Sequence, residues 1–280
     1  MTFNNHSAEV YIPDNAKKGS VVYLALAAHQ DDIEIMAADG ILKAFNRKNG
    51  GFVAVVTTDG AGSARDGIYK AYTDDDMMKI RRAEQKKAAV VGEYSALYLL
   101  NYQSAAVKSP KNIAIAEDYI KILKKHKPEI VYTHNLLDRH DTHLGVATKA
   151  VAAVRNLPKA DRPKRLYGCE VWRDLDWLPD SEKTGFDLSA NENLLAALLG
   201  VFDSQITGGK RYDLATQGRR LSNATYSASH SVDAVKSVSY ALDLTPLIND
   251  VKADITDFAL SKIEAFKKEA ESKLKNVLQG

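Results

Sequence analysis

The 280-residue chain has little cysteine and no long apolar segment. Its single thiol, Cys169, excludes an intrachain disulfide and a zinc site built from several cysteines. No run approaches the ~20 apolar residues that a membrane-spanning helix requires, and the first residues lack the basic and apolar regions of a secretory signal. We therefore predict a cytoplasmic protein, with a signal removed before the first residue as the alternative.

An excess of charge of either sign is also missing. The 38 basic residues nearly balance the 36 acidic residues, which leaves a formal net charge of +2. Such a balance does not indicate general attraction to nucleic acid or to an anionic membrane. A small neutral or mixed-charge substrate fits this composition better.

The most informative segment that the sequence does contain is residues 27–32, AAHQDD. It directly follows the apolar run 21–26, which is typical of a buried parallel strand. His29, Asp31 and Asp32 are therefore expected at the carboxyl end of a strand, the edge at which open α/β sheets bind ligands. Two carboxylates beside an imidazole repel each other and lose hydration unless a cation or a proton neutralises them.

A second polar segment, residues 133–143, contains His134, His140 and His143. It lies between a strand-like run and a helix-like run of the sequence. Zinc accepts imidazole and carboxylate ligands, and a catalytic zinc has three protein ligands and one open position for water. His29 and one aspartate would supply two ligands, so this second segment is the candidate source of the third.

Both segments resemble motifs of the PIG-L/LmbE-like family of zinc-dependent N-deacetylases. The first family motif reads Ala-His-Pro-Asp-Asp, and the later one reads His-x-x-His after an upstream aspartate. Residues 57–63 (TTDGAGS) and 81–89 (RRAEQKKAA) also resemble family segments, in the family's order. Gln30 stands where the family usually has proline, and Thr142 where it often has aspartate.

The resemblance implies a role for each polar residue of the two segments. His29, Asp32 and His143 would bind Zn²⁺ or another divalent metal. Asp31 would face the metal-bound water as the general base, and His140 would stabilise the oxyanion and protonate the departing amine. The side chains of adjacent residues on a regular backbone point in different directions, which agrees with such a division between the two aspartates.

Four further residues are expected near this site. Arg81 would face the pocket, His134 would have a hydrogen-bonded structural role, and Asp138 or Asp141 would orient the catalytic histidine in place of a carboxylate at position 142. Structural alternatives exist for several of these assignments. An aspartate such as Asp32 commonly caps a helix, a histidine commonly lies on a helix face, and Arg81 could pair with an acid three residues later.

Strand-like and helix-like runs alternate along the chain, which indicates βαβ units. We predict an α/β fold in which helices flank a Rossmann-like, mostly parallel sheet, with a mainly helical portion beyond Pro179. Residues 1–280 are predicted to form a single hydrolase domain, with the catalytic sheet at about 20–175 and a helical C-terminal elaboration at about 180–280. The predicted strands cover 21–26, 52–57, 96–100, 129–133 and 166–172, and the main predicted helices cover 34–46, 74–91, 113–125, 191–199, 212–224 and 246–278.

The leading functional hypothesis is a metal-dependent hydrolase that removes an acetyl or similar acyl group from an amine. The resemblance implies the substrate class, an amino sugar of the N-acetylglucosamine type or its conjugate. The expected partner is thus a small N-acylated molecule, without nucleic acid or membrane. A homo-oligomer stays open, because the C-terminal segment has an amphipathic pattern.

Two other functions are consistent with parts of the sequence. His140-Asp141 is also the doublet of His-Asp phosphohydrolases, although that family is helical throughout. A non-catalytic ligand-binding module on a nucleotide-binding-like sheet is the second alternative. It lacks the Gly-x-Gly-x-x-Gly turn after the first strand, where the residues from His29 to Asp32 stand instead.

Overall fold

The computed structural model describes residues 1–47 and 50–279. Eight strands form one mixed sheet: β1 Glu9–Tyr11, β2 Val21–Ala27, β3 Gly51–Thr58, β4 Ala96–Tyr102, β5 Ile130–His134, β6 Arg165–Cys169, β7 Thr184–Asp187 and β8 Val238–Asp243. Their order across the sheet is β1-β4-β3-β2-β5-β6-β8-β7. The five central strands are parallel to their neighbours, whereas β1 at one edge and β8 and β7 at the other edge pair antiparallel.

Helices cover both faces of this sheet. Those described are α1 Asp32–Met36, α2 Ala38–Phe45, α3 Asp74–Val91, α4 Ser104–Lys108, α5 Ala114–His126, α6 Asp141–Arg155, α7 Glu192–Gly200, α8 Asp203–Ile206, α9 Tyr212–Thr225, α10 Thr245–Asn249 and α11 Ile255–Gln279. Among the described residues, no helix is both long and apolar enough to cross a membrane.

Alternating side chains of the central strands build two hydrophobic cores, one on each face. On β2, Leu24 and Leu26 belong to the core that α5 and α6 complete, whereas Ala25 and Ala27 belong to the core that α1, α2, α3 and α7 complete. All four side chains are fully buried. A strand that is buried on both faces needs apolar residues at every position, which explains the continuous apolar run of the sequence.

The topology places a crevice directly at the ends of β2 and β5. From β2 the chain continues through β3 and β4 toward one edge of the sheet, and β5 and β6 then continue toward the other edge. The two strands are parallel neighbours, with Tyr23 opposite Ile130 and Ala25 opposite Tyr132. Such a topological switch point is where open α/β sheets bind ligands, so the segments after β2 and β5 face the same crevice.

The α/β fold with a mostly parallel central sheet is confirmed, and the five predicted strands correspond to β2 to β6. Helix α3 begins at the predicted residue, because Thr73 and Asp76 form a capping box and the first turn carries three acidic residues. The predicted strand 166–172 is shifted and ends earlier, at Cys169.

Several predicted boundaries were wrong. The single helix 34–46 is two helices, α1 and α2, because the backbone at Ala37 leaves the helical region. The stretch 246–278 is likewise two helices, α10 and α11. The region beyond Pro179 is mainly helical, as predicted, but it also contains β7 and β8, which extend the central sheet and were not predicted. These two strands pair at the antiparallel side of the sheet, so neither forms a βαβ unit that the sequence pattern could indicate.

Candidate active site and metal centre

The two polar segments meet in the crevice at the ends of β2 and β5. Asp31 precedes α1, whose first residue is Asp32, while His140 precedes α6, which carries His143 in its first turn. Asp32 and His143 are buried, whereas His29 is partly exposed. Residues that are more than a hundred positions apart in the sequence therefore form one cluster at the predicted edge of the sheet.

His29, Asp32 and His143 form a compact group of three candidate ligands. Nδ1 of His29 lies 3.2 Å from Oδ2 of Asp32 and 3.2 Å from Nε2 of His143, and these last two atoms are 3.3 Å apart. Ligand atoms on a tetrahedral zinc with bonds of about 2.0–2.1 Å are separated by roughly 3.3–3.4 Å. The spacing of all three donor atoms therefore fits a tetrahedral cation with three protein ligands.

Asp138 supports the histidines of the second segment. Its Oδ2 lies 3.4 Å from Nδ1 of His143, and its Oδ1 accepts a hydrogen bond of 3.1 Å from the backbone N–H of His140. The backbone N–H of Trp172 also donates to Asp138, over 3.2 Å. Asp141, by contrast, is exposed and does not line the cleft. Of the two carboxylates expected to orient a histidine, Asp138 is the one in contact with the cluster.

Burial and charge act against each other within the candidate metal group. Burial alone would raise the pKa of Asp32, but His143 and His134 hold it well below its usual range. Burial alone would lower the pKa of His143, but the carboxylates of Asp32 and Asp138 raise it to about 9. The cluster is thus a negative site that requires neutralisation by a proton or a cation.

Asp31 has a different environment from its neighbour. Its φ of 89° lies in the left-handed region, which is rare for a residue other than glycine. Arg81, which is buried, donates to Oδ2 of Asp31 over 3.0 Å, and the side chain of Gln85 accepts from the Asp31 backbone N–H. Burial raises the pKa of Asp31 to about 6, against the lowering effect of Arg81.

His140 lies at the mouth of the cluster. Its Nδ1 accepts a hydrogen bond of 3.2 Å from the backbone N–H of Thr142, so the neutral ring carries its proton on Nε2. Burial and the nearby His143 lower the pKa of His140 to about 4. Its ring centroid lies 4.9 Å from that of His29 and 4.7 Å from that of His143. A neutral imidazole with a hydrogen-bond donor therefore stands beside the three candidate ligands.

His134 lies deeper, behind the candidate metal group. The backbone N–H of Ala28 donates to its Nε2 over 2.9 Å, and its ring stacks on that of His143 with centroids 3.8 Å apart. His134, Asp138 and His143 are a second group whose atoms lie within 4.8 Å of one another. All three are buried and none lines the cleft, whereas the group of His29, Asp32 and His143 reaches the cleft through its first two members.

The cluster opens into a cleft of about 370 Å³. His29, Asp31, Asp32, Arg81 and His140 all line it. Its other walls include Thr58 and Gly60, together with residues that the sequence analysis did not single out: Ser104, Lys108, Gln205, Lys210 and Tyr212. Thr58 and Gly60 belong to the family-like stretch 57–63, whereas α4, α8, α9 and the loop between α8 and α9 gave no local signal of a role at the cleft.

Comparison with known proteins agrees with this geometry. Residues 24–154 match the family model described as "PIG-L: GlcNAc-PI de-N-acetylase". This part of the chain, just under half of its length, is similar to the PIG-L family. The matched region contains both polar segments, and with them His29, Asp31, Asp32, His140 and His143. Comparison with curated proteins gives no significant match.

Several solved structures share the fold. N,N'-diacetylchitobiose deacetylase from Pyrococcus horikoshii is similar over 88% of this chain and 91% of that chain, with 17% identity and a TM-score of 0.65. The conserved protein TT1542 from Thermus thermophilus covers 80% and 94%, with 18% identity and a TM-score of 0.62. GalB, the 4-carboxy-2-hydroxymuconate hydratase from Pseudomonas putida KT2440, covers 80% and 96%, with 17% identity and a TM-score of 0.61. At such low identities these structural similarities show a common fold alone, and the proteins that share it include more than one kind of enzyme.

Proposed function

We propose that the protein is a metal-dependent N-deacetylase that hydrolyses the amide of a small N-acylated amino sugar. The observation that carries this proposal is the coincidence of two findings in residues 24–154. This region matches the PIG-L family, and it contains a three-ligand group with zinc-like spacing beside a buried carboxylate and a neutral imidazole. GalB has a similar fold but is a hydratase, so the fold alone does not carry the choice of reaction.

His29, Asp32 and His143 would hold the metal. Two imidazoles and one carboxylate are a ligand set that zinc uses in catalytic sites. A divalent cation there would lower the pKa of a water molecule and polarise the acyl carbonyl. Asp138 would keep the His143 ring oriented, because its carboxylate lies 3.4 Å from Nδ1, the ring nitrogen that is not one of the three candidate ligand atoms.

Asp31 would act as the general base. Its pKa of about 6 leaves the carboxylate ionised at neutral pH and close to the range in which proton transfer is efficient. Arg81 fixes one of its oxygens, so the other can accept the proton of the attacking water. Nε2–H of the neutral His140 would donate a hydrogen bond to the oxyanion. As the amide bond breaks, the departing nitrogen needs a proton, and the carboxyl group of Asp31, which has taken a proton from the water, would return it to that nitrogen.

The cleft walls support a sugar-like substrate. Trp172 is partly exposed at the cleft, and its ring lies 6.0 Å from His140 and 6.3 Å from Tyr212, measured between centroids. An aromatic face at this distance from the cluster could stack on a pyranose ring whose acylamino group reaches Asp31. A His-Asp phosphohydrolase is disfavoured, because Asp141 is exposed and outside the cleft.

The proposal is tested with a substrate screen and one variant. The zinc-loaded protein should release amine from N-acetylglucosamine or N,N'-diacetylchitobiose and should leave phosphoesters and activated alkenes unchanged. Asp31→Asn should keep its metal, while its turnover falls by roughly 10²–10⁴-fold, the usual contribution of positioned proton transfer. Full activity of Asp31→Asn would show that this carboxylate is not the base, and hydrolysis of phosphoesters alone would replace the deacetylase proposal.

Metal analysis tests the ligand group separately. The purified protein should bind about one zinc per chain, and His143→Ala should lose most of it while remaining folded. His230→Ala is the matched control, because His230 is an exposed histidine outside the cluster. Mass spectrometry gives the metal content, and circular dichroism verifies folding. Equal zinc content in both variants would remove His143 from the ligand group.

A further inference from the structure

A second cleft, of about 380 Å³, adjoins the one that contains the candidate active site. The two share Asp31, Asp32, Trp172, Lys210 and Tyr212 as lining residues, so both open onto the same cluster. The second cleft continues along one face of α9, so it offers space next to the cluster for a part of a substrate that extends beyond the acylamino group.

The charged side chains of this second cleft are not all neutralised. Asp31 is paired with Arg81 at 3.0 Å, and Asp32 belongs to the candidate metal group. Arg211 is also paired, because its Nε and Nη2 donate to the two oxygens of Asp213 over 2.9 and 2.8 Å. Lys210 and Arg219 remain, and within the described part of the chain neither has a carboxylate oxygen within 4.0 Å.

Both remaining cations are held at the wall of the cleft. The Nζ of Lys210 lies 5.3 Å above the ring of Trp172, within the range of a cation–π contact. One Nη of Arg219 donates to the backbone carbonyl of Val171, directly before that tryptophan. Both side chains are partly buried, so their charges are less screened than those of freely solvated lysines and arginines. Anchoring of one guanidinium edge leaves the other edge of Arg219 available for an oxyanion.

We infer that the substrate carries an anionic group, a carboxylate or a phosphate, which Lys210 and Arg219 bind in the second cleft. This inference rests on the proposed deacetylase function, and it names the chemistry of the part of the substrate that does not react. The acyl group lies at Asp31 and His140, the sugar ring lies against Trp172, and the anion lies beyond that ring. Binding energy from such a remote group can be used to position the amide for attack.

A set of matched substrates tests the inference. Amine release is measured for the methyl β-glycoside of N-acetylglucosamine, its carboxymethyl β-glycoside, and the 1- and 6-phosphates of N-acetylglucosamine. At least one anionic substrate should have a kcat/KM about 10-fold or more above that of the neutral glycoside, because one charge-assisted hydrogen bond contributes roughly that factor to binding. The preference should shrink at high ionic strength. Comparison of the carboxylate with the two phosphates identifies which anion the cleft accepts.

The variants assign the preference to particular residues. Lys210→Gln and Arg219→Gln should each lower the anionic-to-neutral ratio of kcat/KM several-fold, whereas Arg219→Lys should retain part of it. Arg211→Gln is the matched control, since Arg211 lines the same cleft but is already paired with Asp213. Calorimetric binding of glucosamine 6-phosphate and of glucosamine to the metal-free protein gives a readout that does not depend on turnover.

The outcomes separate this inference from the proposed function. Equal kcat/KM values for the neutral and all the anionic substrates would overturn the anion site and leave the deacetylase proposal intact. Absence of amine release from every substrate, with one zinc per chain, would overturn the deacetylase proposal. In that case calorimetry still decides the anion site, because equal affinities for the two sugars, or no effect of Lys210→Gln and Arg219→Gln, would contradict it.

Discussion

At the scale of single residues, two adjacent aspartates have opposite acid–base properties. Burial raises the pKa of Asp31 to about 6, whereas the neighbouring histidines hold that of Asp32 well below its usual range. The two carboxylates have different partners, because that of Asp31 pairs with Arg81 whereas that of Asp32 lies 3.3 Å from Nε2 of His143. Pairs of carboxylates whose environments separate their pKa values are typical of sites with divided acid–base roles.

Asp138 offers a single-residue prediction about metal affinity. Asp138→Asn removes the negative charge beside Nδ1 of His143, which should weaken zinc binding by about 10- to 100-fold without removing a ligand. Competition with a chromophoric chelator measures this change.

Asp141→Asn is the control for that experiment, because Asp141 is exposed and is the first residue of α6, the helix that carries His143. Its zinc affinity should stay within about twofold of the parent value, as expected for a surface substitution. If the two variants bound zinc equally well, Asp138 would have no part in orienting His143.

The cluster residues could be predicted from the sequence because each segment is local. The residues from His29 to Asp32 follow one strand directly, and His140 and His143 are three residues apart, so short motifs contain most of the chemistry. Lys210 and Arg219 could not be predicted in this way. They lie before and within α9, whose pattern is that of an ordinary amphipathic helix, and only its packing brings them to the cleft.

At the scale of elements, the central parallel strands were predictable and the edges were not. Strands β2 to β6 are apolar runs in alternation with helices, a pattern that burial on both faces requires. Strand β1 has three residues and β7 has four, including a glycine, so neither gives a periodic signal. These strands form because β4 and β8 supply their hydrogen-bond partners, and this pairing cannot be deduced from the local sequence.

The contact between α4 and α6 gives an element-scale prediction. Gly145 lies on α6 two residues after His143, and a Cβ there would stand 2.6 Å from the backbone oxygen of Val107 on α4. Gly145→Ala should therefore lower the free energy of unfolding by about 1–2 kcal/mol, because the steric cost exceeds the gain in helix propensity.

Gly218→Ala is the matched control on α9, where a Cβ would meet no atom within 4 Å. This variant should raise the free energy of unfolding by about 0.5–1 kcal/mol, the usual benefit of alanine over glycine in a helix. Urea denaturation monitored by circular dichroism measures both values. Stabilisation by both substitutions would mean that α4 and α6 can separate without cost.

At the scale of the whole molecule, acidic and basic residues nearly balance, but the second cleft has a local excess of positive charge. The net charge of +2 is a sum over the whole chain, and it includes many exposed ion pairs. In the second cleft the acids are paired or belong to the candidate metal group, and Lys210 and Arg219 are left over. Net charge therefore bears on long-range attraction to large charged partners. The charge that a small substrate encounters depends instead on which side chains in the cleft already form ion pairs.

The stability of the whole fold should depend on His126, at the end of α5. Burial and the nearby Lys125 lower the pKa of His126 to about 4 from its usual value of 6.5, and the hydroxyl of Tyr98 lies 2.7 Å from its Nε2. Between these two pH values the unfolded chain binds a proton that the folded protein does not, so stability falls as the pH falls. When the pH is lowered from 7 to 5, the free energy of unfolding should fall in both proteins, but by about 1 kcal/mol less in His126→Gln than in the parent protein. This value allows for partial solvent screening of His126. Urea denaturation at the two pH values measures the difference, and equal losses in both proteins would show that His126 does not contribute to acid sensitivity.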